Sequence, residues 1–264
     1  MLMEVKNQFK ITLLTVKYGL IKEMLNKTTF LTNVIFMILN NASFIVQWIV
    51  LYSLKDNVGG YTFKQVLLLW GIAAGIYGFS HFFFKRAYSL SDVINKGKLD
   101  SFLVQPKNVL LSAITTDVEA SAIGDILYGY IMVFIFGFSI KVFILFTIFM
   151  ICGGLILTSI AVIVASFSFW FSKTDMMADT VNSMMTNFAT YPDGIFKGVV
   201  KLLLFTLIPV GITVYIPIRV MTTFEIGLFL TVIFVTIVVV SLAFIVFYKG
   251  LKRYSSSNLM SARI

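Results

Sequence analysis

Charged residues are scarce in this sequence: Asp, Glu, Lys and Arg together make up 12% of its 264 residues. A soluble globular domain carries about 25% charged residues and about 45–50% apolar ones. Here 59% of the residues are hydrophobic and the mean hydropathy is +0.95, which is more apolar surface than a soluble fold of this length could bury. The composition therefore excludes a soluble domain and predicts an integral membrane protein.

Cysteine and histidine are nearly absent, with one residue of each type. Cys152 has no partner for an intrachain disulfide and lies in an apolar run, so we expect a packing role. A lone His81 leaves no His/Cys cluster with metal-ligand spacing. The sequence also lacks a G-x-x-x-x-G-K-[ST] phosphate loop, a G-x-S-x-G motif and an H-E-x-x-H motif. These absences predict a non-catalytic chain that binds no metal or cofactor itself.

Six apolar runs are long enough to cross a bilayer, whose hydrocarbon core of roughly 30 Å takes about 20 helical residues. They are 30–54, 63–84, 120–140, 142–171, 199–218 and 226–248. The third run still inserts although it contains Asp125, because its apolar neighbours outweigh a cost of about 3 kcal/mol. We expect the acidic residues at its cytoplasmic entry, Asp117, Glu119 and Asp125, to pair with lysines of the preceding connection. Binding of a cation or a proton is the alternative.

Basic residues are concentrated in three segments: before the first run, between the second and third runs, and after the last run. The positive-inside rule then places both termini and the 85–116 connection in the cytoplasm. A net charge of +9 is better explained by a face that meets anionic lipid than by nucleic acid, because apolar segments separate the basic residues.

The stretch 175–191 leaves the topology open. It is too polar for a hydropathy scan, yet it has helical length, and its polar residues recur on one helical face. In one arrangement it stays cytoplasmic and 199–218 spans the membrane. In the other it spans, and 199–218, which two prolines and a glycine interrupt, only dips into the outer leaflet. Lys197 and Lys201 favour the first arrangement, whereas the prolines and the single polar face favour the second.

Polar residues recur every seven positions along the first run, at Asn33, Asn40 and Gln47, and therefore share a helical face. Polar groups in hydrocarbon are costly unless they meet a partner or water. The stripe is consistent with a pathway or subunit interface, and equally with hydrogen bonds that only hold helices together. A second stripe within 175–191 favours the pathway, because two such helices could face one cavity. Its residues are Asp175, Asp179, Asn182, Thr186 and Thr190.

The first 28 residues have an apolar stripe at helical spacing, edged by lysines. The stripe consists of Val5, Phe9, Leu13, Val16, Leu20 and Met24. It is typical of an amphipathic helix in the cytoplasmic interface, with lysines reaching the headgroups. A soluble helix packed on another subunit is the alternative.

Three segments resemble a known family. Residues 94–106 read I-x-x-G-x-L-D-x-x-L-x-x-P, residues 191–192 read Y-P, and residues 250–256 read G-x-x-x-Y-x-S. Together, and in this order, they resemble the six-helix permease subunits of the ABC-2 type of ABC transporters.

The resemblance implies an all-α membrane fold (the ABC-2 type exporter fold) with an interfacial helix over 1–28 and six transmembrane helices. The implied spans are 30–54, 63–84, 117–140, 142–171, 174–191 and 226–248. It further implies a re-entrant outer-leaflet hairpin over 194–218 before the last helix, and a cytoplasmic tail over 249–264. Tyr191, Pro192, Pro209 and Pro217 are the expected hairpin residues.

The resemblance also implies partners. Two permeases, identical or related, would pair and carry two cytoplasmic ATPase subunits, on which ATP and Mg bind. The connection 85–116 would couple to the ATPase through charged residues (Lys96, Lys98, Asp100) and apolar ones (Leu99, Phe102, Leu103). An amphipathic loop resting on the membrane is the alternative.

The first and fifth spans of such permeases line the pathway, which assigns that role to both polar stripes. The expected pathway residues are Asn33, Asn40, Gln47, Asp179, Asn182, Thr186 and Thr190. The implied function is ATP-driven export of a drug, peptide or lipid-like cargo across a bacterial inner membrane. Spans rich in aromatic residues and Met favour an amphipathic or hydrophobic cargo. The alternative is a self-contained secondary transporter or channel, which is expected to carry midplane ionisable groups and often an internal repeat.

Overall fold

The computed structural model describes residues 2–171 and 174–255, and within them it is helical, without a β-strand. The α-helices in chain order are α1 (Leu2–Glu23), α2 (Lys27–Leu54), α3 (Phe63–Phe84), α4 (Leu90–Asn95), α5 (Asp100–Leu103), α6 (Val109–Ile114), α7 (Ala122–Gly137), α8 (Ile140–Ser166), α9 (Asp175–Ala189), α10 (Gly198–Thr206), α11 (Ile216–Thr222) and α12 (Ile226–Leu251). Short 3-10 turns at Lys85–Ser89, Phe167–Phe169 and Asp193–Ile195 and a π turn at Gly211–Tyr215 link them.

Four helical segments are long and apolar enough to span a membrane: α2, the continuous stretch Phe63–Asn95, α8 with its following turn, and α12. Helix α7 is apolar but has only 16 residues. Helices α10 and α11 form a pair that is bent by 76°. The all-helical fold and several spans are therefore as predicted.

Side-chain caps set two helix boundaries differently from the expected spans. Helix α2 begins at Lys27, three residues before the apolar run, because the Asn26 side chain accepts a hydrogen bond from the Thr29 N–H at 3.1 Å. Helix α8 begins at Ile140 because Ser139 caps it. Helix α7 is shorter than the expected span 117–140, because it begins only at Ala122 and ends at Gly137.

Helix α3 is the central helix of the bundle, and glycines let the neighbouring helices approach its backbone. A Cβ built on Gly129 of α7 would lie 2.8 Å from the carbonyl oxygen of Gly71 on α3. A Cβ on Gly78 would lie 2.7 Å from the carbonyl oxygen of Ala122. Small residues permit such contacts between membrane helices, where dispersion replaces the hydrophobic effect as the driving force.

The single cysteine is a packing residue, as predicted, and so is the single histidine. Cys152 is buried in α8. The ring of His81 is buried and stacks between Tyr77 at 3.7 Å and Tyr88 at 4.0 Å between ring centroids.

An apolar cluster, which we call the loop cluster, lies where the connection between α3 and α7 packs on the ends of α8 and α12. It contains Ala87, Leu90, Val93, Ile94, Leu99, Leu110, Ala113, Ile114, Ala161, Val162, Ala165, Phe169, Ala243 and Phe247. This cluster joins the connection rigidly to two long helices.

Helix α1 lies beside the start of α7. A Cβ on Gly19 would sit 2.7 Å from a methyl of Val118, and Gln8 accepts a hydrogen bond from the Asn108 N–H at 2.9 Å. Val16 is buried, whereas Phe9 and Leu13 of the predicted stripe are exposed. The helix is therefore attached along one side and leaves apolar side chains free on another.

The glycine contact predicts a specific loss of stability. Gly129→Ala places a methyl group against the α3 backbone, and such overpacking costs about 1–3 kcal/mol. We expect a lower midpoint of thermal unfolding in detergent. Gly227→Ala in α12 is the matched control, because a Cβ there meets nothing within 4 Å. Equal midpoints for the two variants would contradict the close contact.

Candidate functional site: a polar cavity and a packed loop

A cavity of about 670 Å³ lies between α2, α3 and α9, and single residues of α7 and α8 complete its wall. This volume lies within the roughly 300–1,000 Å³ of typical small-molecule sites. The wall combines amide and hydroxyl groups with aromatic rings. It can therefore contact both polar and apolar parts of a ligand.

Both predicted polar stripes contribute to this one cavity. Asn40 and Gln47 line it from α2, and Asn182, Thr186 and Thr190 line it from α9. Asn33 is exposed and does not line the cavity, and the side chain of Asp179 lies outside the described residues. The two helices thus face each other as expected, while the pathway role of the seven residues stays a prediction.

Several lining residues were missed from the sequence, mainly because they do not fall on the two stripes. They include Asn41, Phe44, Trp70, Tyr77, Ser183, Asn187 and Thr213. Trp70 and Tyr77 lie seven residues apart on α3, so they share a helical face. That spacing is a signal, but aromatic residues are too common in these helices for it to stand out.

The expected pairing of the acidic residues with loop lysines is wrong for two of them. Asp117 pairs with an arginine, Arg86, at 3.1 Å. Asp125 lies in the first turn of α7 and turns into the bundle, where its Oδ1 accepts a hydrogen bond from the Asn41 side chain at 2.6 Å. It is buried and lines the cavity, so it is out of reach of the surface lysines.

A second polar centre, the Asp193 cluster, joins two connections at the opposite end of the bundle from the loop cluster. Asp193 is 4% exposed and accepts a hydrogen bond from the Tyr61 hydroxyl at 2.9 Å. It also forms ion pairs with Lys201 at 2.9 Å and Arg219 at 3.2 Å. Burial, reinforced by the Asp193 carboxylate, raises the pKa of Tyr61, so the phenol remains a hydrogen-bond donor. The cluster adjoins a smaller cavity of about 300 Å³.

Three of the four expected hairpin residues, Tyr191, Pro192 and Pro209, lie at breaks in the helices. Tyr191 follows α9 and contacts Trp48, with ring centroids 6.0 Å apart, and Pro192 is buried beside it. Pro209 lies between α10 and α11, where its missing N–H prevents a continuous helix. Pro217 lies inside a helical segment, just after the π turn Gly211–Tyr215 runs into α11. Pro209 therefore accounts for the sharp bend between the two short helices.

The 94–106 motif shapes the connection between α3 and α7. Ile94 is buried in the loop cluster, and Gly97, at φ 67°, supplies the left-handed turn between α4 and α5. Leu99 is 0% exposed, which corrects its expected role as a contact for a partner: it anchors the loop from inside. The outer face of the loop is formed by Lys96, Lys98, Asp100 and Leu103, which are exposed, with Phe102 half-buried.

The 250–256 motif also has a packing role in its described part. Gly250 leaves room for the ring of Phe169, and Tyr254 packs edge-on against the same ring, with centroids 6.3 Å apart. Burial, with the Asp100 carboxylate nearby, raises the pKa of Tyr254 to about 12. The end of α12 is therefore fastened to the loop cluster by a neutral aromatic side chain.

The comparison with known families decides the identity. The family model described as ABC-2 family transporter protein matches residues 37–258, most of the chain and both centres described above. The chain belongs to this family. Neither a curated protein nor a solved structure matches it.

The family makes the chain a permease component of an ABC transporter and a multi-pass membrane protein. Such permeases are typically non-catalytic membrane subunits that associate with an ABC ATPase. This assignment takes precedence over the self-contained channel or secondary transporter that the sequence alone left open.

The Asp193 cluster of the permease predicts a stability difference between two acidic residues. Asp193→Asn leaves two cations without their shared counter-ion, and a lost buried partner costs about 1–3 kcal/mol. We expect a lower unfolding midpoint in detergent for Asp193→Asn. Asp56→Asn, in the exposed connection after α2, is the control and should unfold like the wild type. If both variants matched the wild type, the ion pairs would not stabilise the fold.

Proposed function

We propose that this permease moves an amphipathic or hydrophobic cargo, such as a drug, peptide or lipid-like molecule, out of the cytoplasm. In this proposal two permeases pair and carry two ATPase subunits, ATP and Mg bind on the ATPases, and this chain binds no cofactor. The observation that carries the proposal is the cavity lined by both polar stripes. Its amides and hydroxyls suit a polar group, and its aromatic side chains suit an apolar one.

The proposed topology has six spans, with α9 as the fifth and α10–α11 as a re-entrant hairpin. Neither arm is long enough to cross alone, because a bilayer core is roughly 30 Å thick. The nine residues of α10 extend about 14 Å, and the segment Gly211–Thr222 extends about 18 Å. The Asp193 cluster supports the hairpin further. Asp193 precedes α10 and Arg219 lies in α11, yet their side chains are 3.2 Å apart. The chain therefore returns to the end of the bundle that it left.

Contacts between connections support a common outer side for this end. Tyr61, between α2 and α3, bonds Asp193. Lys141, at the start of α8, lies 4.4 Å from the centroid of the Phe224 ring, just before α12. With the lysine-rich loop at the other end, both termini would be cytoplasmic and the membrane would be a bacterial inner membrane. Helix α1 would then lie in the cytoplasmic interface.

We propose that the cytoplasmic loop couples the ATPase to the cavity. Its exposed charges and Leu103 form a surface that a soluble protein can bind, while Ile94 and Leu99 fasten it to the bundle. ATP binding on the partner would favour one of two permease conformations by its differential affinity for them. Helices α2 and α9 would separate or close around the cavity as a result.

Labelling of introduced cysteines tests the topology. Lys197 is exposed just before α10, so Lys197→Cys should react with a membrane-impermeant maleimide added outside intact cells. Lys55→Cys, in the exposed connection after α2, is the positive control. Lys98→Cys should react only after permeabilisation. Protection of Lys197→Cys until permeabilisation would contradict the re-entrant hairpin.

Substitution of Leu103 tests the coupling surface. Leu103 is 42% exposed at the end of α5, and Leu103→Asp puts a charge into the apolar part of the proposed ATPase contact. We expect at least a tenfold loss of co-purifying ATPase and of cargo export.

The control is Leu54→Asp, the same change at an exposed leucine at the opposite end of the bundle. It should leave ATPase association intact. Normal association of the Leu103→Asp permease would show that the loop does not bind the ATPase.

A further inference from the structure

Asp125 is an incompletely paired acidic side chain inside the bundle. Its residue is 3% exposed, and Oδ1 is occupied by the Asn41 amide. Oδ2 has no hydrogen-bond partner among the described residues. An ionisable group buried at membrane depth is costly unless something pairs with it, and such groups commonly mark substrate or ion pathways.

The side chain reaches the wall of the large cavity, where no basic residue accompanies it. None of the described residues that line this cavity is Lys, Arg or His, although the whole chain carries a net charge of +9. The wall therefore provides no counter-charge for an ionised Asp125, and a cation that enters the cavity could supply it.

Aromatic rings give the same wall an affinity for cations. Phe44 and Trp70 stack with centroids 5.3 Å apart, and Tyr77 and Tyr191 complete the aromatic lining. The faces of such rings attract organic cations, most strongly where water is excluded. They also accept flat apolar groups.

The shape of the cavity separates charge from apolar surface. On α2 the lining runs from Met37 to Gln47, ten residues or about 15 Å along the helix. Asn41, which bonds Asp125, lies nearer the Met37 end, while Tyr191 follows the far end of α9. A molecule with a cationic head and an apolar body could occupy both regions at once.

We propose that the cavity binds amphipathic organic cations, with the Asp125 carboxylate as their counter-charge and the aromatic side chains around their apolar part. The proposal rests on the proposed function, because it names the chemical class of the cargo. It assigns Asp125 a binding role that the polar stripes alone do not suggest.

The test compares two probes of the same shape and opposite charge, tetraphenylphosphonium and tetraphenylborate. Binding of each to the full-length permease in lipid nanodiscs is measured by equilibrium dialysis, and binding to empty nanodiscs is subtracted. The wild type should bind the phosphonium at least tenfold more tightly than the borate. Equal binding, or preference for the borate, would overturn the proposal.

Two matched substitutions isolate the carboxylate. Asp125→Asn keeps the size and the oxygen that bonds Asn41, and it should abolish the preference for the cation. Glu119→Gln removes an acidic charge near the start of α7 that does not line the cavity, and it should retain the preference. If Asp125→Asn retained the preference for the cation, the selectivity would come from other residues and the proposal would be wrong.

Gln47→Lys replaces Asp125→Asn if the latter does not fold, because Gln47 is an exposed lining residue at the other end of the cavity. The added ammonium should lower phosphonium affinity at least tenfold, and unchanged affinity would contradict binding in this cavity. The assay contains neither ATPase nor ATP. Failure of the wild-type permease to co-purify with an ATPase would therefore refute the proposed function separately, without altering the binding result.

Discussion

The bundle depends on the direct contact between the backbones of α3 and α7. A Cβ on Gly129 would lie 2.8 Å from the Gly71 carbonyl oxygen, and a Cβ on Gly71 would lie 2.7 Å from the side chain of Met132. Close approach of this kind gives membrane helices their packing energy, because lipid offers no hydrophobic driving force for association. Helix α8 completes the arrangement, since Phe146 and Met150 pack against Gly75 of the same central helix.

This packing also determines where the cavity lies. Trp70 and Tyr77 each precede a glycine of α3, so they point about 100° away from the face that contacts α7. One face of the central helix is thus closed by backbone contact, and the neighbouring face carries large rings toward α2 and α9. The cavity exists where side chains too large for close packing meet two helices with amide-bearing faces.

Much of the architecture follows from local pattern, and the rest from contacts between distant segments. Apolar runs predicted α2, α3, α8 and α12, and the seven-residue spacing predicted the polar faces of α2 and α9. The Asp193 cluster could not be predicted, because its partners Tyr61 and Asp193 lie 132 residues apart. The predicted exposure of Leu99 was wrong for a related reason. A leucine between charged neighbours is expected to be exposed, and only the packing of the loop cluster shows that it is buried.

The shortness of α7 has a consequence for the surrounding bilayer. Sixteen helical residues extend about 24 Å, several ångströms less than an average hydrocarbon core. Irregular backbone at that depth is tolerated only where protein covers it. Val118 and Ala120 are buried, and Gly19 of α1 packs against Val118. Helix α1 therefore covers the irregular backbone before α7. In the proposed topology, where α7 is a span, this contact would spare the lipid from thinning locally around the start of α7.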